Sequence, residues 1–349
     1  MTTSRRSKQI LETKHFGASG FIASSLVNKL LQQGHTVHAT LRNLDDASKV
    51  GLLKSLPNAD TNLLLFQADL YDPLEFEPAM EGCEFVFHVA TPMQHNNLSS
   101  QYKDTAEAAV AGVRIIADSC IRSQTVKRLI YTASVLAASP RTEDGAGFKP
   151  YFDESCWTPL DVSFPHGTDF TMGYIVSKTL AEKAVLSYND IDGGKLEAVT
   201  LPCGLVGGET LLPNSPLSVG VVISQLTGDL NGYNALKFMQ EVIGSVPLVH
   251  IEDVCRGHIF CMEQPSMRGR FCCAVASPSI KEIAAFFQEN YPEYKIAKEF
   301  AEGPEEGIKC DFTKLVKIGF EYKYGVKNIL DDSVASGRRL SESSLSQLI

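Results

Sequence analysis

The chain has 349 residues, 44% hydrophobic and 21% charged, with enough apolar length for one large domain or two coupled lobes. Its formal net charge of -9 argues against a nucleic acid or an anionic membrane as partner, since both call for a basic face, and leaves a small molecule. Nine cysteines stand singly apart from Cys272-Cys273, without a Cys-x-x-Cys pair or a Cys/His cluster at zinc spacing, so no metal centre is expected and the thiols read as reduced in a cytoplasmic protein.

Residues 1–14 are polar and basic, lack the apolar core of a signal peptide, and read as a flexible N-terminus. No apolar run reaches membrane-spanning length. From Phe16 onward short apolar runs at 35–41, 63–67, 85–89, 128–134 and 198–201 alternate with amphipathic stretches at 21–33, 74–80, 102–122 and 174–188. Buried strands alternating with helices predict an α/β fold, a doubly wound parallel sheet of Rossmann type covered on both faces. Gly34 falls just past the first helix, where a left-handed cap residue is expected. Residues 140–152, rich in Gly, Pro and charge, read as an insertion between a strand end and the 174–188 helix. Beyond residue 204 the pattern becomes mixed, with breaks at Pro213, Pro216 and Pro247, and predicts a smaller C-terminal substrate lobe. The expected division is a dinucleotide-binding domain over 15–203 that also carries the catalytic residues, a substrate lobe over 204–335 and a flexible tail over 336–349.

Gly17-Ala18-Ser19-Gly20-Phe21-Ile22-Ala23 opens the first helix. Glycine permits the turn, and small residues let a pyrophosphate approach the amides at the helix start, which makes Gly17, Ser19, Gly20, Phe21 and Ile22 cofactor candidates. The next strand ends in Arg42, where an acidic residue would suit NAD and an arginine suits a 2′-phosphate; Lys49 adds a second positive charge, so NADP(H) is the expected cofactor. A buried strand should precede Gly17, yet Lys14-His15-Phe16 stand there, so either the strand is short and strained or this end differs from an ordinary cofactor domain, and whether cofactor binding is weakened is open. Asp69 and Leu70, and then Val89, Ala90 and Thr91, lie at carboxyl ends of strands, where ligands bind in open α/β sheets. Asp69 can accept from an adenine amino group, and the 89–91 backbone can line a ribose. His88 reads as a packing histidine.

Tyr174 and Lys178 are four residues apart on one helix face. An ammonium at a few Å favours the phenolate by about 4 kcal/mol at an effective dielectric near 20, so the tyrosine is expected to titrate below its ordinary value and to give a proton to a substrate oxygen. The same spacing recurs at Tyr233/Lys237 and Tyr291/Lys295. Only Tyr174 follows a strand ending in a hydroxyl, Ser134, which can hydrogen-bond the oxygen that Tyr174 protonates, and Pro292 interrupts any helix joining Tyr291 to Lys295.

Gly17 to Ile22, Ala68-Asp69-Leu70, Phe87 to Pro92, Tyr174 to Glu182, Val249 to Arg256, Gly269 to Cys273 and Gly319 to Gly325 together resemble the extended short-chain dehydrogenases of plants, within them the dihydroflavonol reductase and anthocyanidin reductase group. The resemblance runs from Gly17 to about Asp332, and Ala23 inclines it to the anthocyanidin reductase-like members. It implies NADPH-dependent reduction of a flavonoid-type or related phenolic substrate by Ser134, Tyr174 and Lys178, with Arg42 and Lys49 on the 2′-phosphate and Pro202 and Leu205 bordering the nicotinamide. Substrate walls are expected from Leu136, Ser139, Met172 and the stretch from Phe238 to Ile243. Ser139 stands where dihydroflavonol reductases carry an asparagine, and the Asn-Trp-Tyr of cinnamoyl-CoA reductases is absent. The alternatives are a non-catalytic or weakly active NADP-binding relative, or a hydroxysteroid dehydrogenase or nucleotide-sugar epimerase of the same fold. Monomer and homodimer are both open.

Overall fold

The computed structural model describes residues 9–13, 20–70, 72–89 and 102–346. Among the described residues the strands are β1 (Gln9–Thr13), β2 (Thr36–Leu41), β3 (Leu63–Gln67), β4 (Phe85–His88), β5 (Arg128–Ser134), β6 (Glu197–Cys203), β7 (Leu205–Gly207), β8 (Leu248–His250) and β9 (Gly269–Arg270). Seven form one sheet in the order β3-β2-β1-β4-β5-β6-β9, and β7 pairs with β8 in a second. β1 pairs in parallel with β2 on one side and β4 on the other. The strand order reverses there, the switch point at which open α/β sheets take their ligands.

The apolar runs explain the strands. Every residue of β4 and β5 is buried, as strands covered on both faces require. β3 was expected to be equally buried. As the edge strand it has a single neighbour, none of its residues is fully buried, and Leu64 is 43% exposed. The first strand also differs from expectation: it is Gln9–Thr13, inside the segment read as a flexible N-terminus, and it ends before Lys14-His15-Phe16, which lie outside the described residues. Gly34 follows the helix Phe21–Gln32 with φ +80°, the left-handed cap that the sequence predicts.

The chain divides into two compact units that interleave instead of meeting at one cut after residue 203. The first comprises 1–132, 180–201 and 258–270; the second comprises 133–179, 202–257 and 271–349. β5, β6 and the helix Asp169–Ser187 each begin in one unit and end in the other. Compactness follows packing, not chain order.

Two buried arginines organise the first unit. Arg270 meets the carboxylate of Glu182 through Nε and Nη2 at 2.9 Å each, while the Thr200 hydroxyl donates to Glu182 Oε1 at 2.8 Å. Arg128 donates through Nε to Glu197 at 2.7 Å and through Nη1 to the Gln264 carbonyl at 3.0 Å. Buried charges persist only when paired and hydrogen-bonded in this way.

The core of the second unit includes Phe152, Phe164, Ile175, Phe238, Val242 and Phe287, with Phe164 and Phe238 packed edge to face at 5.7 Å. The tail expected to fray is helical: Val326–Ser346 is one helix. Ile329, Leu330, Ser333, Val334, Ser336 and Leu340 are all buried, a stripe at helical spacing. A serine-rich composition hid this stripe, because Ser333 and Ser336 belong to its buried side.

Candidate active site

β5 ends at Ser134, which is buried. Its hydroxyl oxygen accepts the Leu136 N–H at 3.2 Å, capping a short turn over Val135–Ala137. Tyr174 and Lys178 sit one turn apart on the helix Asp169–Ser187; Tyr174 is partly buried against the core, and Lys178 is buried. A hydrogen bond joins the Ser134 hydroxyl to the Tyr174 phenol. The three residues selected from the sequence fall in the second unit, and two of them touch.

The electrostatics differ from expectation. Burial pushes the Tyr174 phenol above its ordinary value, the Ser134 hydrogen bond pulls it down, and the neighbouring Cys203 thiol pushes it up again. The net direction is upward, not the downward shift expected from Lys178, because desolvation penalises the phenolate in this environment more than the serine stabilises it. Cys203 escaped sequence reasoning. The only signal for it was its place after Pro202 at the carboxyl end of β6. Its backbone pairs in parallel with that of Cys273, and neither cysteine is in a disulfide.

Neither rival pair makes this arrangement. Lys237 lies over the ring of Tyr233 at 4.9 Å, and the Tyr233 hydroxyl donates to the Glu302 carbonyl at 3.1 Å. Tyr291 follows the end of the helix Ile280–Asn290 and donates to Asp331 at 2.7 Å.

The expected substrate walls separate into two groups. Leu136 and Met172 pack in or against the same core as Tyr174. Ser139 and Phe238 are corrected: Ser139 is fully buried, donates to the Val242 carbonyl and accepts the Arg141 N–H at 3.0 Å, and Phe238 is committed to Phe164. Both of Ser139's hydrogen-bonding roles are spent on backbone, and Phe238 is only 2% exposed, so neither offers a substrate a face.

In the first unit, Gly20 is the N-cap of Phe21–Gln32, extended at φ -82° and ψ 170°, and brings no capping side chain to the helix start. No acidic residue stands in the first turn, and the small Ala23 is fully buried, so no negative charge in that turn opposes an anion at the helix start. Phe21 and Ile22 are partly buried. Gly17, Ser19, Ala90 and Thr91 lie outside the described residues, and Val89 is partly buried just after β4. Asp69 follows β3 by two residues, its N–H donating to Glu75 at 2.6 Å, and Leu70 is buried against Gly112. Arg42 is exposed directly after β2. Lys49 is already engaged: its ammonium lies 2.7 Å from Asp46, which also caps the helix Ala47–Lys54 by accepting the Lys49 N–H at 3.1 Å. The Lys49 contacts hold the Asp46 carboxyl below its ordinary value. Pro202 and Leu205 are buried in the second unit, the Pro202 carbonyl accepting the Cys273 N–H at 2.8 Å and the Leu205 N–H donating to Pro247 at 2.7 Å. Among the described residues no group of His, Cys, Asp and Glu could hold a metal, and no helix is long and apolar enough to cross a membrane.

The model of the NAD dependent epimerase/dehydratase family matches residues 16–271. The chain belongs to this family. Within it, the epimerase/dehydratase-family chain is 40% identical over 319 residues to anthocyanidin reductase ((2S)-flavan-3-ol-forming) of Vitis vinifera, across 91% of this chain and 92% of the relative. It is 36% identical over 325 residues to dihydroflavonol 4-reductase of Dianthus caryophyllus, across 92% and 86%. Vestitone reductase from alfalfa superposes with a TM-score of 0.75 at 30% identity, covering 96% of this chain and 99% of that one. A yeast methylglyoxal/isovaleraldehyde reductase solved with NADPH, 19% identical over 96% of this chain and 99% of its own, shares the fold at a TM-score of 0.75. The extended short-chain dehydrogenase/reductase resemblance and the doubly wound fold therefore hold. This family member is an oxidoreductase of that type.

Proposed function

We propose that the chain is an NADPH-dependent reductase of a flavonoid-type or related flat phenolic substrate, with Tyr174 as proton donor. The hydrogen bond between the Ser134 hydroxyl and the Tyr174 phenol, with Lys178 buried one turn along the same helix, carries this reading. Support for the substrate class comes from the names of the reductases at 36–40% identity.

The chemistry supplied by a bound reduced nicotinamide is a hydride. Tyr174 delivers the accompanying proton to the substrate oxygen, and Ser134 hydrogen-bonds that oxygen as its charge develops. Lys178 sets a positive charge near the phenolate that proton transfer leaves behind and binds the nicotinamide ribose. Gly20 and the first turn after it would hold the pyrophosphate, and Asp69 the adenine amino group. Leu136 and Met172 bound the substrate. A panel of flavonoid and other phenolic carbonyl compounds, followed for NADPH consumption and product identity together, tests the proposal; consumption confined to non-phenolic carbonyls would overturn it.

Arg42 carries the preference for NADPH over NADH. Arg42→Ala is expected to raise the NADPH Kd roughly tenfold and to leave NADH binding nearly unchanged, since a lost charge-assisted contact to the 2′-phosphate matters only when that phosphate exists. Equal losses for the two cofactors in a fluorescence titration would remove the assignment. Asp46→Asn retains a good helix cap while releasing the Lys49 ammonium, so NADPH binding should tighten and NADH binding should not.

A further inference from the structure

A cavity of about 520 Å3 opens in the second unit beside the helix Leu230–Ile243, and neither Ser134, Tyr174, Lys178, Leu136 nor Met172 lines it. Its size suits a small organic molecule. Phe148, Ile280 and Ile308 supply apolar wall, while Arg141 and Lys237 bring two cations.

Both cations are held in place by neutral groups. Arg141 donates through Nε to the Glu241 carbonyl at 2.7 Å and through Nη1 to the Gly145 carbonyl at 2.8 Å, and its guanidinium lies 4.3 Å from the centre of the Phe148 ring. Lys237 rests over Tyr233. Among the described residues, neither has a carboxylate within ion-pair distance. Glu241 and His166 also line the cavity, and the Glu241 carboxylate is occupied by His166, through Nδ1 at 2.5 Å and the backbone N–H at 3.0 Å. Burial lowers the Arg141 pKa, and the Glu241 carboxylate offsets part of that shift. Glu302 and Glu306, exposed at the cavity's outer loop, oppose a multiply charged ligand such as a nucleotide.

We propose that this cavity is a second small-molecule site for an aromatic monocarboxylate, its ring against Phe148, Ile280 and Ile308 and its carboxylate between Arg141 and Lys237. The test is calorimetric titration of the full chain, without nicotinamide cofactor, with 4-coumarate and with its uncharged methyl ester. Wild-type protein should bind 4-coumarate at one site, and the ester should bind roughly tenfold more weakly or worse. Arg141→Gln and Lys237→Gln should each weaken 4-coumarate by a similar factor. Tyr174→Phe should leave it unchanged, which distinguishes this cavity from the reaction site. Should Arg141→Gln fail to fold, Lys237→Gln carries the test, because its ammonium makes a ring contact only. No binding at millimolar 4-coumarate, unchanged affinity in Lys237→Gln, or loss of binding in Tyr174→Phe would each overturn the proposal. The reductase reading stands or falls separately, on turnover.

Discussion

Tyr174→Phe is expected to lower turnover by roughly 10²–10⁴-fold while NADPH still binds with nearly wild-type affinity. The substitution removes one oxygen and leaves the ring that packs against the second unit's core, so the fold should survive. What disappears is the proton donor and the partner of Ser134. Because burial raises the phenol's pKa, Tyr174 keeps its proton throughout the neutral range in the absence of ligand. The sign follows directly: a group with a raised folded pKa contributes stability that is present below the ordinary tyrosine value of about 10 and is lost as pH rises through the raised value. The ultraviolet phenolate signal of wild type minus Tyr174→Phe should therefore emerge only on the alkaline side. Tyr291→Phe is the natural control, since that hydroxyl serves Asp331. Wild-type turnover in Tyr174→Phe would end the proposed mechanism.

Arg270→Leu is expected to cost about 3–5 kcal/mol of folding stability, measured by denaturant unfolding, because it strands the Glu182 carboxylate in an interior where both side chains are at most 5% exposed. The loss should be far larger than that from the surface pair Lys127–Glu84, whose side chains are 67% and 38% exposed. Combining Arg270→Leu with Glu182→Leu should restore much of the stability, since a well-packed apolar pair leaves no orphaned charge. Glu182 lies one turn beyond Lys178 on the helix that presents Tyr174. Turnover in the double variant thus reports whether the ion pair also aligns that helix. If the single and double variants were equally unstable, charge stranding would not be the cause.

Much of this was legible in the sequence because it rests on local patterns. β3 and β5 fall where the apolar runs put them, and Gly34 takes the left-handed cap its position announced. Ser134 could be matched to Tyr174 because a strand end and a helix face are both readable from spacing. What escaped depends on neighbours distant in sequence. Nothing in the tyrosine–lysine interval reveals that burial would outweigh the Ser134 hydrogen bond, or that Cys203 would add to the upward push. Ser139 looked like a pocket residue from its offset after Ser134, yet Val242, about a hundred residues on, claims its hydroxyl. Lys49 is held by Asp46, a pairing that an Asp three residues ahead of a Lys at a helix start makes readable from spacing. The tail's serine-rich composition conceals its helical periodicity, because two of the serines lie on the buried stripe.

The interleaving of the two units bears on how such proteins can be recombined. The chain passes between them after residues 132, 179, 201, 257 and 270, and three of those crossings fall within two residues of Ser134, Lys178 and Cys203. No single contiguous block holds either unit. A chimera that joins the first 203 residues of one relative to the remainder of another would leave residues 133–179 behind with the donor of the wrong half, and with them the proposed proton donor and its serine. Exchanging specificity between family members by one crossover is therefore unsuited to this architecture; a transplant must move at least three separated segments together.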